Sequence, residues 1–478
     1  MSIWGIDEHR IAAAVAAVRP GGDAEWAEAA DERQVECRGP GDPEIETGQG
    51  SEPDELDEPS VLDALFARAI WSVLAEPGDT VAGALIAAVG PVAAARLVID
   101  RVAPLTITEA TRGEIDVDRA RDGLLRWTER LRAADVLRSL ESAARCGARM
   151  LVPGDPHWPE GVDRLGDGAP VLLWTRGDVE LLRRPGVAIV GARAATGYGE
   201  HVAMELAAGL CARDVVVVSG GAYGIDGMAH RAALASGGAT IAVLAGGIDR
   251  FYPSGHEALL TRVVDQGLLV AEVPCGTPPT KWRFLQRNRL IAALSAATVV
   301  VEAGRRSGSL NTANHALELG VPVGMVPGPI TSAASAGCHA FLRSEPTTCV
   351  TSVAEIMQLA FGDDGVLPVP EPVHAIGAGG AGGAGDVGDA DDGQRDGAAP
   401  RARRDDPMQV RVLDALRPRR GQEPAEIARS VGESTARIRA ALGVLELDGR
   451  ASLGDDGLWR RTPPVRVQPS RRVTADVS

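Results

Sequence analysis

Short runs of apolar residues, separated by helical patterns, dominate the chain from about residue 150 to residue 350. The runs predict strands at Val187–Val190, Val215–Ser219, Thr240–Leu244, Leu268–Glu272, Thr298–Glu302 and Val323–Val326. The intervening patterns predict helices near Tyr198–Arg213, Ile225–Ser236, Gly255–Gln266, Arg287–Ser295 and Asn311–Leu319. Apolar runs of four or five residues joined by helical crossovers are typical of a parallel sheet covered on both faces. The pattern therefore predicts an α/β domain with a doubly wound parallel sheet.

The pattern changes on both sides of this region. Val61 to about Cys146 carries apolar residues at helical spacing, which predicts a small all-α domain. Near the C-terminus, three helix candidates precede a hairpin-like segment that turns at Asp456-Gly457, an order that predicts a winged helix-turn-helix. The helix candidates are Met408–Leu416, Glu423–Val431 and Thr435–Leu447.

These patterns divide the chain into six predicted segments. An acidic N-terminal extension and a Gly/Asp-rich linker bury too little apolar surface to order themselves, although a short helix is predicted near residues 8–18. The predicted boundaries are 1–59 for the extension, 60–148 for the helical domain, 149–361 for the α/β domain, 362–406 for the linker, 407–463 for the winged-helix domain and 464–478 for a disordered tail.

The net charge of −16 argues at first against nucleic acid, so the location of the acidic residues matters. Residues 1–59 hold 16 acidic and 4 basic residues, and residues 361–406 hold 10 acidic and 4 basic residues. Residues 407–478 hold 13 basic and 9 acidic residues. The acidity therefore lies mainly outside the predicted domains. It does not exclude a nucleic-acid partner, because phosphates are neutralised by the basic residues at the binding site rather than by the net charge of the chain.

The six cysteines form no Cys-x-x-Cys pair and stand at no zinc-ligand spacing with a histidine. This usage predicts a reducing compartment and no structural metal. The N-terminus lacks the basic and apolar pattern of a signal peptide, and we see no run of about 18 apolar residues. We therefore expect a cytoplasmic protein that does not associate with a membrane.

Three glycine-rich turns follow predicted strands and open predicted helices. In a doubly wound sheet such turns place backbone N–H groups and helix N-termini at one sheet edge, where an anion is favoured. Arg193 in the first turn adds a guanidinium fork that fits a phosphate. Tight turns with an exposed arginine, and helix capping by Ser309, are the simpler alternatives. The candidate residues are Gly191, Arg193, Thr196, Ser219, Gly220, Gly221, Ser307, Gly308 and Ser309.

The segment from Lys281 to Arg289 (KWRFLQRNR) places four basic groups within nine residues, interleaved with two aromatic residues. Basic side chains neutralise phosphates, and an exposed ring that stacks on an unpaired base contributes ~1–3 kcal/mol. The alternative is a solvated helix start with Phe284 in the core. The candidate binding residues are Lys281, Phe284, Arg287, Asn288 and Arg289.

No carboxylate–histidine–nucleophile set is visible, and His230, one turn after Asp226, is more simply a packing residue. We therefore expect a binding protein without a cofactor rather than an enzyme.

As an ordered set, these motifs resemble the DNA-processing protein A (Smf) family of bacterial transformation proteins. The matching signatures are Gly191-Ala-Arg193 with Thr196-Gly-Tyr-Gly199, Ser219-Gly-Gly-Ala-Tyr-Gly-Ile-Asp226, Tyr252-Pro253, Phe284-Leu-Gln-Arg-Asn-Arg-Leu-Ile-Ala292, Ser307-Gly-Ser-Leu310 and Val326-Pro-Gly328. Leu285 stands where the family usually has proline.

The resemblance implies an extended Rossmann-like domain that binds single-stranded DNA, protects it and loads the recombinase RecA onto it during natural transformation. It also implies a homodimer formed through that domain, a sterile-alpha-motif-like (SAM-like) N-terminal domain and a C-terminal winged helix. By the same resemblance, Arg193 and Lys281 contact the DNA backbone, and Phe284 contacts a base.

Two other readings stay open at this point. Phosphoribohydrolases share a related layout, but Asn311 and Thr312 stand where their acidic residues would be, so the general acid/base is missing. The predicted winged helix would contact either duplex DNA or a protein partner, and its candidate contacts are Arg437, Arg439, Arg450 and Arg460.

Overall fold

The computed structural model describes residues 5–19, 60–362, 406–454 and 456–462. Most of the predicted acidic extension, the predicted linker and the predicted tail lie outside the described residues. The short helix predicted near residues 8–18 is confirmed as α1 (Glu8–Ala16), which Asp7 caps by accepting from the His9 N–H at 3.2 Å.

A nine-stranded sheet forms the centre of the molecule. Its spatial order is β1-β2-β6-β5-β4-β3-β7-β8-β9. Strands β3 to β9 pair in parallel, whereas β1 and β2 extend one edge through antiparallel pairs. The strands are β1 (Arg149–Leu151), β2 (Leu173–Gly177), β3 (Gly186–Val190), β4 (Val216–Ser219), β5 (Thr240–Leu244), β6 (Leu268–Ala271), β7 (Ala297–Val300), β8 (Val323–Met325) and β9 (Thr348–Cys349).

Helices cover both faces of this sheet, which confirms the predicted doubly wound α/β arrangement. Side chains alternate along β3, so that Val187 and Ile189 pack on one face while Ala188 and Val190 pack on the other. The helices of this part are α7 (Gly197–Cys211), α8 (Ile225–Ala235), α9 (Glu257–Gln266), α10 (Lys281–Ala293), α11 (Gly308–Glu318), α12 (Ala336–Ser344) and α13 (Val353–Phe361). All six predicted strands are confirmed within two residues at either end.

Five further helices lie between α1 and the sheet, and together with α1 they share a continuous apolar core with its β2, β5 and β6 side. They are α2 (Val61–Leu74), α3 (Thr80–Ile99), α4 (Pro104–Ala110), α5 (Val117–Thr128) and α6 (Ala133–Cys146). By length and composition Thr80–Ile99 could cross a membrane, contrary to our reading that no such run exists. However, Gly90 is not helical (φ 78°, ψ 160°) and divides it, and residues such as Leu85 and Val98 are buried in the helical core.

The last described part, residues 406–454 and 456–462, is called the C-terminal unit. It consists of α14 (Pro407–Ala415), α15 (Pro424–Val431), α16 (Thr435–Leu447) and an antiparallel hairpin of β10 (Ala451–Leu453) and β11 (Trp459–Arg461). The helices pack around Val412, Ile427 and Leu442, which are fully buried. The predicted helix order and the hairpin are therefore present.

Candidate nucleic-acid interface

A cavity of about 1040 Å³ opens at the carboxyl ends of β3 and β7. From β3 the chain proceeds outward to β4, whereas β7 leads to β8 on the opposite side. The loops after β3 and β7 therefore diverge and leave a crevice, the position at which doubly wound sheets bind ligands. Among the predicted residues, Gly191, Arg193, Lys281, Phe284, Arg287, Asn288, Ser307, Gly308 and Ser309 line this cavity.

Arg193 and Phe284 form a stacked pair in the cavity. The guanidinium carbon of Arg193 lies 4.7 Å from the ring centroid of Phe284, and Arg193 is exposed. Tyr252, which is 49% exposed, lies 5.6 Å from the same ring, centroid to centroid. The ring orients the guanidinium through a cation–π contact while its N–H groups stay available for an anion. The cavity thus combines charge with two aromatic faces.

Lys281 is the first residue of α10 and is exposed beside this pair. The Thr280 side chain caps the helix by accepting from the Arg283 N–H at 3.2 Å. Lys281 is also the only lysine among the 49 Lys and Arg residues of the chain. A compact ammonium at a helix N-terminus, where the helix dipole is positive, strengthens the attraction for an anion.

Arg287 lies beneath Phe284 rather than in solvent. Its Nη1 donates to the carbonyl of Gly220 at 2.6 Å and also to that of Val243. Burial lowers the pKa of Arg287 to about 10, although the nearby Asp226 carboxylate acts against this change, so the group is charged at neutral pH. Its guanidinium carbon is 5.6 Å from the centroid of Phe284. This arrangement favours a supporting role for Arg287 over direct contact with a ligand.

Asn288 and Arg289 are buried as well. The Asn288 amide donates to the Gly308 carbonyl at 3.2 Å and to Asn311 Oδ1 at 3.1 Å, which joins α10 to the start of α11. Arg289 Nη2 donates to both carboxylate oxygens of Glu272, at 2.6 and 2.7 Å, and Arg289 does not line the cavity. We predicted both residues as ligand contacts, but in the structure each has a partner within the protein.

The first glycine turn is shaped by contacts inside the protein. Thr196 caps α7 through the Gly199 N–H, and its own N–H donates to Glu302 at 2.9 Å. A Cβ at Gly191 would lie 2.5 Å from Cγ1 of Ile225. The close approach of α8 therefore requires glycine at position 191. Of Gly191, Thr196 and Gly199, only Gly191 lines the cavity with Arg193.

At the second glycine turn, Ser219 to Gly221, backbone N–H groups already bind a carboxyl group of the protein itself. The Asp226 carboxylate accepts from the Gly220 N–H at 3.2 Å and from the Ala222 N–H at 3.4 Å. Burial raises the pKa of Asp226, and Arg287 partly offsets this effect. Ser219 is buried and donates to the Ile189 carbonyl. The predicted phosphate seat at Ser219, Gly220 and Gly221 is thus filled internally, and none of the three lines the cavity.

The third turn keeps an open helix N-terminus. Ser307, rather than Ser309, caps α11, and the two hydroxyls lie 2.7 Å apart. Both residues line the cavity together with Arg306, which is exposed. This turn therefore offers hydroxyls, helix amides and a guanidinium to an anion.

Several cavity residues were not among the predicted contacts. Tyr252 could have been found from its aromatic character within a family signature. Asp414 and Arg461 come from the C-terminal unit and reach the cavity only through tertiary docking. In that unit Arg437 pairs with Glu433 and Asp122, and Arg460 pairs with Asp456 at 2.5 Å, whereas Arg439 is exposed and Arg450 is half-buried.

His230 is a packing residue in this structure. It is fully buried, and its Nδ1 lies 2.7 Å from the Thr240 hydroxyl. Burial lowers the pKa of His230 to about 3, so the ring is neutral. Over the described ranges, no group of three or more His, Cys, Asp or Glu residues could hold a metal ion.

The sequence is similar to known proteins along most of its length. Residues 149–360 match the family described as DNA recombination-mediator protein A. The protein assigned as DprA in Mycobacterium tuberculosis strain H37Rv is 42% identical over 406 residues, which cover 82% of this chain and 93% of that relative. The chain belongs to the DNA processing protein A (DprA) family.

Other members of the DprA family match a shorter part of the chain. The Streptococcus pneumoniae DprA is 40% identical over 203 residues, covering 42% of this chain and 71% of the relative, and its X-ray structure matches with a TM-score of 0.49 at 30% identity, covering 62% and 96%. The Helicobacter pylori DNA processing protein A, whose structure concerns its binding of single-stranded DNA, has a TM-score of 0.41 at 30% identity and covers 44% and 94%.

Proposed function

We propose that this DprA-family protein binds single-stranded DNA in the cavity, with Arg193 and Lys281 on phosphates and Phe284 against a base. The observation that carries the proposal is the stacking of Arg193 on Phe284, 4.7 Å from guanidinium carbon to ring centroid, beside Lys281. Charge and ring face the same cavity, which is what a strand with exposed bases requires.

The lining of the cavity favours a strand over a single nucleotide. Small-molecule pockets span about 300–1,000 Å³, and the cavity of about 1040 Å³ stands at the upper limit of this range, so the lining residues rather than the volume indicate the ligand. Tyr252 offers an exposed ring to an unstacked base, and Phe284 offers its ring to a second base once Arg193, which covers it, turns to a phosphate. A duplex would keep both bases paired. Arg306 and the Ser307 turn extend the anion-binding surface beyond one phosphate.

The family description as a recombination mediator supports a role in DNA processing. We propose that the protein protects incoming or exposed single strands in the cytoplasm and loads RecA onto them for homologous recombination, including natural transformation. The Rossmann-like domain would form the homodimer, the N-terminal helices a SAM-like domain, and the C-terminal unit a winged helix that contacts duplex DNA or a protein.

The environment of Asp226 favours binding without catalysis. Its carboxylate accepts from two backbone N–H groups, and the neighbouring Asn311, which is not acidic, accepts from Asn288. Asn311 and Thr312 stand where a phosphoribohydrolase would need its acidic residues. Release of free base from adenosine monophosphate by the purified protein would revive the enzyme alternative.

The direct test compares two double substitutions in the full chain. Arg193→Ala with Lys281→Ala removes two exposed charges in the cavity, and Arg213→Ala with Arg262→Ala removes two exposed arginines outside it. Since a charge-assisted hydrogen bond contributes about 1.5–3 kcal/mol, the first pair should weaken binding of a deoxythymidine oligonucleotide more than about tenfold. Unchanged affinity in that variant, or an equal loss in the second pair, contradicts the site.

A further inference from the structure

The C-terminal unit is docked against both the α/β part and the helices that precede it, through buried polar groups. Arg130 Nε donates to the Arg429 carbonyl at 2.7 Å, and Arg283 Nη2 donates to the Ser430 carbonyl at 3.2 Å. Both guanidinium groups also pair with Glu76, whose side chain is only 10% exposed. Because each of these groups depends on the others for its partners, the network defines one orientation of the C-terminal unit.

A second set of contacts places α14 beside the start of α10. The guanidinium carbon of Arg411 lies 4.8 Å from the ring centroid of Trp282. One turn further along α14, Asp414 Oδ2 accepts from the Lys281 backbone N–H at 3.1 Å. Asp414 also lines the cavity, as does Arg461 from the hairpin.

Asp414 therefore occupies a position that suits a phosphate. The first amides of a helix have no partner within the helix and carry the positive end of its dipole, so they favour an anion. A carboxylate and a phosphate present the same kind of acceptor oxygen to such an amide. The amide that donates to Asp414 belongs to Lys281, the chain's only lysine, so the lysine side chain starts at the same position.

We propose that Asp414 competes with a DNA phosphate for the N-terminus of α10, and that it thereby sets the affinity of the cavity for single strands. The proposal rests on the proposed function. A strand that fills the whole cavity displaces Asp414 and loosens α14 from α10. Asp414 is then an affinity-determining residue supplied by a separate part of the chain.

A point substitution tests this better than deletion of the unit, because deletion would also remove Arg461. Asp414→Asn keeps the size of the side chain and removes the charge. Asp448→Asn makes the same change on an exposed aspartate of the same unit that does not line the cavity. Binding of a deoxythymidine oligonucleotide of about 15 nucleotides to the full chain is measured over a range of salt concentrations.

A charge at a helix terminus contributes up to about 1 kcal/mol, so Asp414→Asn should bind about fivefold more tightly. Since displacement of Asp414 brings the same phosphate to α10 in both proteins, the slope of the log–log salt dependence should be unchanged. Asp448→Asn should match the wild type. Equal affinities of the two variants overturn the proposal. Absence of binding in all three proteins instead overturns the proposed function.

Hydrogen exchange separates competition from simple helix capping. In the wild type, addition of the oligonucleotide should increase amide exchange in α14, because displaced Asp414 no longer holds it to α10. Unchanged or slower exchange in α14 on a protein that does bind the oligonucleotide contradicts displacement.

Discussion

Arg287 supports Phe284 from inside the protein, with its guanidinium carbon 5.6 Å from the ring centroid. The same guanidinium reaches the carbonyls of Gly220 and Val243, at the ends of β4 and β5. The ring that we propose to meet a base is therefore fixed to the sheet by a buried charge.

Arg287→Met should destabilise the fold. The substitution leaves two buried carbonyls and the Asp226 carboxylate without their cationic partner, a change that costs about 3–5 kcal/mol. The free energy of unfolding, measured by urea denaturation, checks this. Arg193→Ala serves as the control, since Arg193 is exposed and its loss should leave stability almost unchanged. Similar stabilities of the two variants would show that Arg287 is not a structural support.

Gly191→Ala should also destabilise the protein, by about 1–3 kcal/mol, because the new methyl group overlaps Ile225 and pushes α8 away from β3. Gly197→Ala is the matched control. No atom lies within 4 Å of the methyl position there, in the first turn of α7, so this change should be neutral or slightly stabilising. Thermal unfolding of both variants distinguishes a packing requirement from a general intolerance of the turn.

The Glu76 carboxylate gives the docking of the C-terminal unit a pH dependence. Burial acts to raise its pKa, but Arg283 and Arg130 outweigh this effect and hold the pKa at about 2, below the ordinary 4.5. A carboxyl with a lowered pKa stabilises the folded state above its ordinary pKa, and this stabilisation is lost as the pH falls towards the folded value. The contribution of Glu76 should therefore be complete at pH 7 and should disappear between about pH 4.5 and 2.

Glu76→Gln should destabilise the junction by about 3–5 kcal/mol at pH 7, since it leaves two buried guanidinium groups without their anion. The difference in unfolding free energy from the wild type should shrink as the pH falls below about 4.5. Denaturation curves recorded at several pH values check this, and a difference that stays constant down to pH 2 contradicts the assignment.

Much of the fold followed from the sequence because apolar runs and helical spacing report which faces of an element are buried. The glycine turns after β3 and β7 likewise marked the sheet edge where the cavity lies. The sequence did not predict that Arg287 and Arg289 are buried, because their partners Val243 and Glu272 lie on other elements. A basic cluster in sequence is therefore divided by folding into exposed and buried charges.

Tertiary packing also determines which group occupies two anion-binding positions. Asp226 fills the amides of the second glycine turn from the following helix, a contact that spacing alone does not distinguish from ordinary capping. Asp414 approaches Lys281 across 133 residues of chain, and no local pattern indicates it. Both findings depend on how elements pack rather than on what each segment contains.

The most direct measurement uses the single lysine. An amine-reactive reagent can modify only one side chain of this protein, Lys281, which is exposed in the cavity beside Arg193. Peptide mass spectrometry gives the rate of its modification with and without saturating deoxythymidine oligonucleotide. Contact of Lys281 with a phosphate should slow the reaction several-fold, whereas duplex DNA of the same length should protect it much less. An unchanged rate at a concentration where the strand is bound would contradict the account.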